Sequence, residues 1–157
     1  MFSEKLKIVP ILNSADVTTG TDCDSINMAK FHRATLIFTF GAVTTDITIT
    51  PTCGAAEGEK TTPVPLQYAK GGAAIGTAVA GSPASCDVLA AWTAHDSVAS
   101  ITAASNLMVV VEINASAMAA NSPWLTVTVA AGTSGICHCV AILEPRYTGN
   151  RSATALK

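Results

Sequence analysis

The sequence predicts an all-β domain, a β-sandwich or barrel of jelly-roll-like type with at most one or two short helical turns. Apolar and polar residues alternate with period two in several segments, and residues typical of turns separate those segments. Helix signals are confined to two short stretches. Many short strands between Gly- and Pro-containing turns are typical of a sandwich or barrel.

The strongest strand patterns lie in residues 34–40, 47–49, 108–113, 125–129 and 136–143. Weaker patterns predict further strands in residues 6–12, 64–68, 88–92 and 99–102, and Pro10 and Pro65 indicate edge positions because proline lacks the backbone N–H. Residues 108–113 are predicted to form a central strand. In residues 136–143 both alternating sets are largely apolar, which predicts a strand buried on both faces.

Helical turns are expected only where a capping residue precedes a short apolar stretch. Asp24 or Ser25 is expected to cap a turn through residues 26–29, and Asn114 or Ser116 another through Met118. Residues 51–65 and 70–85 are predicted to be loops because they are rich in Gly, Pro, Ala and Thr. The second is apolar enough to lie against a partner, and a mobile surface loop is the alternative.

Length and composition indicate one domain, residues 1–143, followed by a C-terminal tail, residues 144–157. The chain is 49% hydrophobic but only 13% charged, so Thr, Ser, Ala and Gly must cover much of its surface. Little charge repulsion then separates neighbouring molecules, which favours assembly. The tail carries a net positive charge and is expected either to dock on a neighbour or to fray.

The charge and hydropathy patterns exclude several classes of partner. A net charge of −2 and a pI near 5.8, without clustered Lys and Arg, argue against nucleic-acid binding. No run of about eighteen apolar residues predicts a membrane span. The N-terminal segment lacks the apolar core of a secretory signal, so the protein is expected to be soluble and made in the cytoplasm.

The five cysteines are expected to be free thiols that pack as small hydrophobic residues, because their number is odd and no export signal is seen. Cys137 and Cys139 should share one face of a strand while His138 lies on the other. Zinc sites need ligand pairs separated by a turn, and no second pair is present. We therefore predict no metal site and no cofactor.

No residues form a convincing catalytic group. His95, Asp96 and Ser97 are adjacent, and adjacent residues rarely align as base, orienting group and nucleophile, so a polar loop is predicted there. His32 is expected on the surface, and His138 as a hydrogen-bonded core histidine. Asp22 and Asp24 lack the remaining oxygen ligands of a calcium loop. The chain is not expected to be an enzyme.

Three segments resemble a known class of proteins. FSEKLKIVPILN at the start, DSINMAKFHRATLIFTFG after it and ILEPRYTGNRSATALK at the end are similar to small head decoration, or cement, proteins of tailed bacteriophages. Such a resemblance implies a β-rich structural protein of the virion, without catalysis, that bridges subunits on the capsid exterior. It also implies the major capsid protein and further copies of the chain as partners, with a homotrimer favoured.

If the resemblance holds, the candidate assembly contacts lie in the two ends of the chain and are mostly of residue types that anchor interfaces. They are Phe2, Leu6, Arg146, Tyr147 and Arg151. Two alternatives stay open: a tail or fibre component of a phage, and a carbohydrate-binding module. The second needs exposed aromatic rings for stacking on sugars, and the four obvious rings, Tyr68, Trp92, Trp124 and Tyr147, are scattered in the sequence.

Overall fold

The computed structural model describes residues 5–76, 85–102, 104–132, 135–147 and 154–156. Within them the chain forms twelve β-strands and two 3-10 turns. The strands are β1 (Lys7–Asp16), β2 (Thr21–Asp22), β3 (Ile26–Asn27), β4 (Phe31–Phe40), β5 (Ile47–Gly54), β6 (Thr62–Pro63), β7 (Leu66–Lys70), β8 (Thr93–His95), β9 (Ala99–Ile101), β10 (Met108–Asn114), β11 (Trp124–Ala130) and β12 (Ile136–Pro145). The turns span Met28–Lys30 and Ala115–Ala117.

The strands build two antiparallel sheets that form a β-sandwich. The first sheet has the order β1-β12-β4-β10-β7-β8. The second has the order β2-β11-β5-β6, with β3 also paired to β11 and β9 to β5. The all-β prediction is therefore confirmed, and of the architectures left open the sandwich is the one observed.

The core lies between the sheets and is built by the alternation seen in the sequence. In β4, Leu36, Phe38 and Phe40 face inward, and the rings of Phe38 and Phe40 stack with centroids 6.0 Å apart. The second sheet contributes the inward-facing aliphatic side chains of β5 and β11, namely Ile47, Ile49, Leu125, Val127 and Val129. Close packing of these residues is the main source of stability in a domain without disulfide bonds.

Most of the predicted strands are present. Strand β10 lies centrally between β4 and β7, as predicted, and β1 lies at the edge of its sheet, as Pro10 indicated. One predicted strand is absent. Residues 88–92 form no strand; Val88 and Trp92 are exposed, and Leu89 makes only one isolated bridge to Gly71.

The predicted loop 51–65 also contains regular structure, because β5 continues to Gly54 and β6 returns beside it at Thr62 and Pro63. Pro65 precedes β7, and β7 lies inside the sheet between β10 and β8, so the predicted edge position there was wrong. Residues 77–84 of the second predicted loop lie outside the described residues.

The two predicted helical turns exist; the first has a cap that was not expected, and the N-cap of the second is Asn114, as expected. Asn27 caps the first turn, and its side chain accepts a hydrogen bond from the Ala29 N–H at 3.0 Å. Ser25 instead lies buried against Thr126, with their hydroxyl oxygens 2.7 Å apart. Asn114 precedes the second turn, without a side-chain capping bond.

Beyond residue 143, β12 runs on to Pro145, and the buried Ala155 accepts a hydrogen bond from the Asn27 N–H through its carbonyl at 2.8 Å. The predicted division of the chain at residue 143 stays a prediction. Among the described residues, no helix is long and apolar enough to cross a membrane.

Candidate assembly surface

The outer faces of the two sheets differ in chemistry. The outer face of the second sheet carries threonines, with Thr50 opposite Thr128 and both half-buried, whereas Thr126, opposite Thr52, is fully buried beside Ser25. Asp22 and Lys60 border this face and form an ion pair with 2.9 Å between Nζ and Oδ2. Hydroxyl groups paired across strands, together with an exposed ion pair, are compatible with contact to water.

The outer face of the first sheet is aliphatic where it is most exposed. Ile136 and Val140 of β12 are 46% and 37% exposed, and Ile8 of the neighbouring β1 is 48% exposed. The predicted burial of β12 on both faces was therefore wrong: Cys137, Cys139, Ala141 and Leu143 are buried, whereas Ile136, His138 and Val140 are exposed. In the hydrophobic pattern, a face that is covered by the same chain looks the same as an aliphatic face that is exposed.

The aliphatic character continues across the sheet in register. Ile8 lies opposite Ile142, while Pro10, Val140, Ile37 and Val110 form the next row across β1, β12, β4 and β10. Val110 is only 8% exposed and adds little to this surface. We call the surface the apolar outer face and define it by Ile8, Pro10, Ile37, Ile136, Val140 and Ile142.

A groove of about 460 Å³ extends this surface at one end. Its lining includes Ile136 and His138 of β12, Thr39 of β4, and Ile75, which is 49% exposed. Ile75 belongs to the segment 70–85, whose apolar composition led to the expectation of a partner. It is thus an exposed aliphatic side chain beside the apolar outer face.

One arginine and two glutamates lie at the other end of the apolar outer face, so this end has a net charge of −1. Arg33 lies between two carboxylates, 3.6 Å from Glu112 and 3.5 Å from Glu144. Gln67 donates a hydrogen bond to the same Glu112 oxygen at 3.2 Å. This polar cluster forms a rim to the aliphatic surface, as in protein interfaces, where charge is concentrated at the periphery.

The structure places three of the five predicted assembly contacts at this same end. Leu6 is half-buried and directly precedes β1, whose first residue pairs with Leu143. Arg146 and Tyr147 follow β12, and Tyr147 is 74% exposed. Phe2 and Arg151 lie outside the described residues. The role of all five as contacts stays a prediction.

Arg146 is held in place by the strand beside it. Its Nε donates a hydrogen bond to the Phe31 carbonyl at 3.0 Å, and its backbone N–H donates to the Lys30 carbonyl at 2.9 Å. The side chain borders a groove of about 300 Å³ lined by Met28, Met118 and several alanines. Its guanidinium is therefore anchored beside a small apolar depression.

His138 was predicted to lie in the core, and this prediction was wrong, because it projects from the apolar outer face and is exposed. Its Nε2 lies 3.0 Å from the Ser14 hydroxyl, and the Ser14 backbone N–H donates to Nδ1 at 3.3 Å. Since Nδ1 accepts, Nε2 carries the proton of the neutral ring and donates to the hydroxyl. A catalytic base must instead accept the serine proton, so this pairing does not activate Ser14.

His95 ends strand β8 and is half-buried, so the predicted polar loop begins only after it. Its ring stacks on Tyr68 at a centroid distance of 5.6 Å. Among the described residues, His95 Nε2 is buried without a hydrogen-bond partner, so this nitrogen is not bonded to Asp96 or Ser97. His32 is exposed, as predicted.

Three thiols lie close together between the sheets. Cys23, Cys137 and Cys139 are all buried, and burial together with the neighbouring Cys23 raises the pKa of Cys137 to about 12. Burial and the same neighbour also raise the pKa of Cys139. In the described part of the chain, no group of three or more His, Cys, Asp or Glu residues is arranged to hold a metal ion. The buried thiols remain protonated and pack as small hydrophobic groups.

Asp22, one of the two aspartates considered for calcium, is already engaged by the protein. Burial raises its pKa, but hydrogen bonds from Thr128 and Lys60 outweigh that effect, so the pKa lies below its ordinary value. The Lys60 ammonium neutralises the charge that a cation would need.

No protein-family model and no curated protein sequence matches this chain. Among solved structures, the crystal structure of the SPBc2 prophage-derived protein YomS is similar to it, with a TM-score of 0.45 and 11% sequence identity. The alignment covers 88% of this chain and 93% of that chain.

Proposed function

We propose that this chain is a virion structural protein of a tailed bacteriophage that decorates and stabilises the capsid exterior by bridging capsid subunits. Its partners would be the major capsid protein and further copies of itself, and it would be made in the host cytoplasm and act on the assembled head. The observation that carries the proposal is the apolar outer face, on which Ile8, Ile136 and Val140 are 37–48% exposed. Extended exposed apolar surface on a folded domain is typical of interaction sites.

Two features of the sequence support the same role. The segments at both ends resemble head decoration proteins, and Arg146 and Tyr147 from the final segment directly follow β12, the strand that carries Ile136 and Val140. The low charge of the chain reduces repulsion between closely spaced copies. A protein that contacts several subunits at once gains avidity from each added contact.

A structural role without catalysis is part of the proposal. It is supported by the Ser14–His138 pair, in which the histidine donates to the hydroxyl. It is also supported by the thiols, whose protonated state makes them poor nucleophiles.

The alternative of sugar binding has less support in the positions of the aromatic rings. Trp92 is 44% exposed and directly precedes β8, whereas Tyr147 follows β12, which lies four strands away in the sheet. Four strand spacings correspond to about 19 Å. Tyr68 packs against the core, so these rings do not form one stacking platform.

Binding to phage heads tests the proposal. Purified protein would be mixed with expanded heads of its phage that lack it, and with isolated tails, and binding would be scored by sedimentation. We expect saturable binding to heads and greater survival of the heads on heating, whereas binding to tails alone would assign the protein to the tail. A Tyr147→Ser variant is expected to bind heads more weakly, and a Trp92→Ser variant serves as its matched aromatic control.

A further inference from the structure

We propose that Cys23 and Cys139 are a redox-sensitive pair that closes to a disulfide bond between the two sheets when a disulfide oxidant, such as glutathione disulfide, reaches them. In the structure both side chains are free thiols. The bond would join the segment between β2 and β3 to β12, and so fasten the second sheet to the first. The pair lies in the core, away from the surfaces considered for capsid binding.

Backbone hydrogen bonds hold Cys23 at a place where the chain touches both sheets. Its N–H donates to the Val127 carbonyl of β11, in the second sheet, at 2.9 Å. The next residue, Asp24, donates its N–H to the Ile11 carbonyl of β1, in the first sheet, also at 2.9 Å. Strand β1 pairs directly with β12, which carries Cys139. The two cysteines are therefore fixed on neighbouring parts of the two sheets.

Contacts between the side chains select this pair from the three thiols of the cluster. Cys23 and Cys139 are both buried. Burial and, after it, a side-chain hydrogen bond between these two thiols raise the pKa of Cys139. The Cys137 thiol instead donates to the His138 carbonyl at 3.5 Å. Cys23 and Cys139 are thus the thiols that already face each other.

The reaction is a pair of thiol–disulfide exchanges. The thiolate of one cysteine attacks glutathione disulfide, which gives a mixed disulfide and releases one glutathione. The thiolate of the second cysteine then attacks the protein sulfur of the mixed disulfide and displaces the other glutathione. The protein loses two electrons and two protons in total, and one glutathione disulfide is reduced to two molecules of glutathione.

Burial determines when this exchange takes place. Attack needs a thiolate, and the raised pKa of Cys139 keeps its thiol protonated in the folded domain. The bond should therefore form while the chain folds, before the sheets close over the thiols. A reducing medium keeps the pair as thiols, whereas an oxidising medium favours the bond. The bond would close a loop of about 115 residues, and such a constraint on the unfolded chain stabilises the fold.

Refolding in a glutathione buffer tests the inference without the barrier of burial. The full chain would be reduced and denatured, refolded with glutathione disulfide in excess over glutathione, quenched with iodoacetamide and digested without reductant. We expect tandem mass spectrometry to find Cys23 linked to Cys139 as the main disulfide within a single chain. The oxidised protein should melt about 10 °C above the same protein refolded in reductant.

Two serine variants provide the comparison. Cys137→Ser is the matched control, because it removes a buried thiol of the same strand and leaves the proposed pair intact. It should still form the bond and show the rise in melting temperature on oxidation, whereas Cys139→Ser should show neither. Cys139→Ala is a second variant in case a buried hydroxyl prevents folding.

The unmodified protein alone can overturn the inference, whatever the variants do. Folded protein that keeps Cys23 and Cys139 as alkylated thiols under the oxidising buffer would contradict it. A link from Cys23 to Cys137 in place of Cys139 would also contradict it, as would an equal rise in melting temperature on oxidation of folded Cys139→Ser or Cys139→Ala.

Discussion

Val140 of β12 lies directly opposite Ile37 of β4, and both side chains project from the outer face of the first sheet. The neighbouring pair, Cys139 and Phe38, occupies the inner face and is fully buried. The same two strands therefore supply aliphatic and aromatic side chains to the core on one side and an aliphatic surface on the other.

Truncation of Phe38, one residue of this inner pair, should cause a large loss of stability. Phe38→Ala removes a buried ring that stacks on Phe40, and it should lower the free energy of unfolding by about 3–5 kcal/mol. Trp92→Ala is the control, because this ring is 44% exposed and its loss should cost clearly less than the loss of Phe38. Urea unfolding followed by circular dichroism measures both, and equal losses would contradict the assignment of the core.

Gly54 is predicted to tolerate no side chain. A Cβ at this position would lie 2.3 Å from the Glu59 Cβ and 2.8 Å from the Glu59 carbonyl oxygen. The loop cannot easily move away, because the Glu59 carboxylate accepts hydrogen bonds from the Ala55 and Ala56 N–H groups. Gly54→Ala should therefore cost about 1–3 kcal/mol of stability.

Gly41→Ala provides the comparison for that variant, because its Cβ would meet its nearest neighbour at an ordinary distance of 3.6 Å. The melting temperatures of the two variants, measured by thermal unfolding, test this prediction. Gly54→Ala should melt well below Gly41→Ala, and matching melting temperatures would show that the contact with Glu59 is not constraining.

Asp22 gives a predicted pH dependence. Its pKa in the folded protein lies below the ordinary value of 3.8, so its contribution to stability is complete above that value and disappears as pH falls through the folded pKa. Asp22→Asn should reduce stability by roughly 0.2–1 kcal/mol at neutral pH, because the ion pair with Lys60 is largely exposed. Unfolding measured between about pH 7 and pH 2 should show the variant and the unmodified protein converging below about pH 4. A constant difference down to about pH 2 would contradict the role of the charge.

The thiols should differ in their reactivity. Cys137 is buried and its pKa is raised to about 12, so it should resist alkylation in the folded protein, as should Cys139. Cys86 is only half-buried and should react first with iodoacetamide at mildly alkaline pH. Mass spectrometry of the labelled peptides identifies the modified sites. Labelling of Cys137 as fast as Cys86 without denaturant would mean that the two sheets separate readily.

Period-two alternation was enough to find β4, β10, β11 and β12, because these strands have seven to ten residues with consistent faces. Strands of two residues, such as Thr62–Pro63, are too short for any periodicity and are held by pairing with distant partners. Periodicity was also misleading in residues 88–92, where the side chains of Val88 and Trp92 follow the alternating pattern but are exposed.

The surface was harder to predict than the core. An apolar residue such as Ile136 or Val140 has the same local pattern whether its own chain or a neighbour covers it, so the sequence indicated burial within the domain. The structure shows which of the two applies: β12 lies next to the edge strand β1 and turns one face toward the second sheet, so Ile136 and Val140 on its other face are exposed. The proposed contacts Arg146 and Tyr147 came from residue type and position, and their place directly after β12 required the structure.

The most direct test of the proposed role is the amount and location of the protein in purified virions. Virions would be separated into heads and tails, and the protein would be quantified in each fraction by mass spectrometry against the major capsid protein. Decoration of the capsid predicts that it is recovered with the heads, in an amount comparable with the major capsid protein. Recovery with the tails in a few copies per particle, or absence from the virion, would contradict the account.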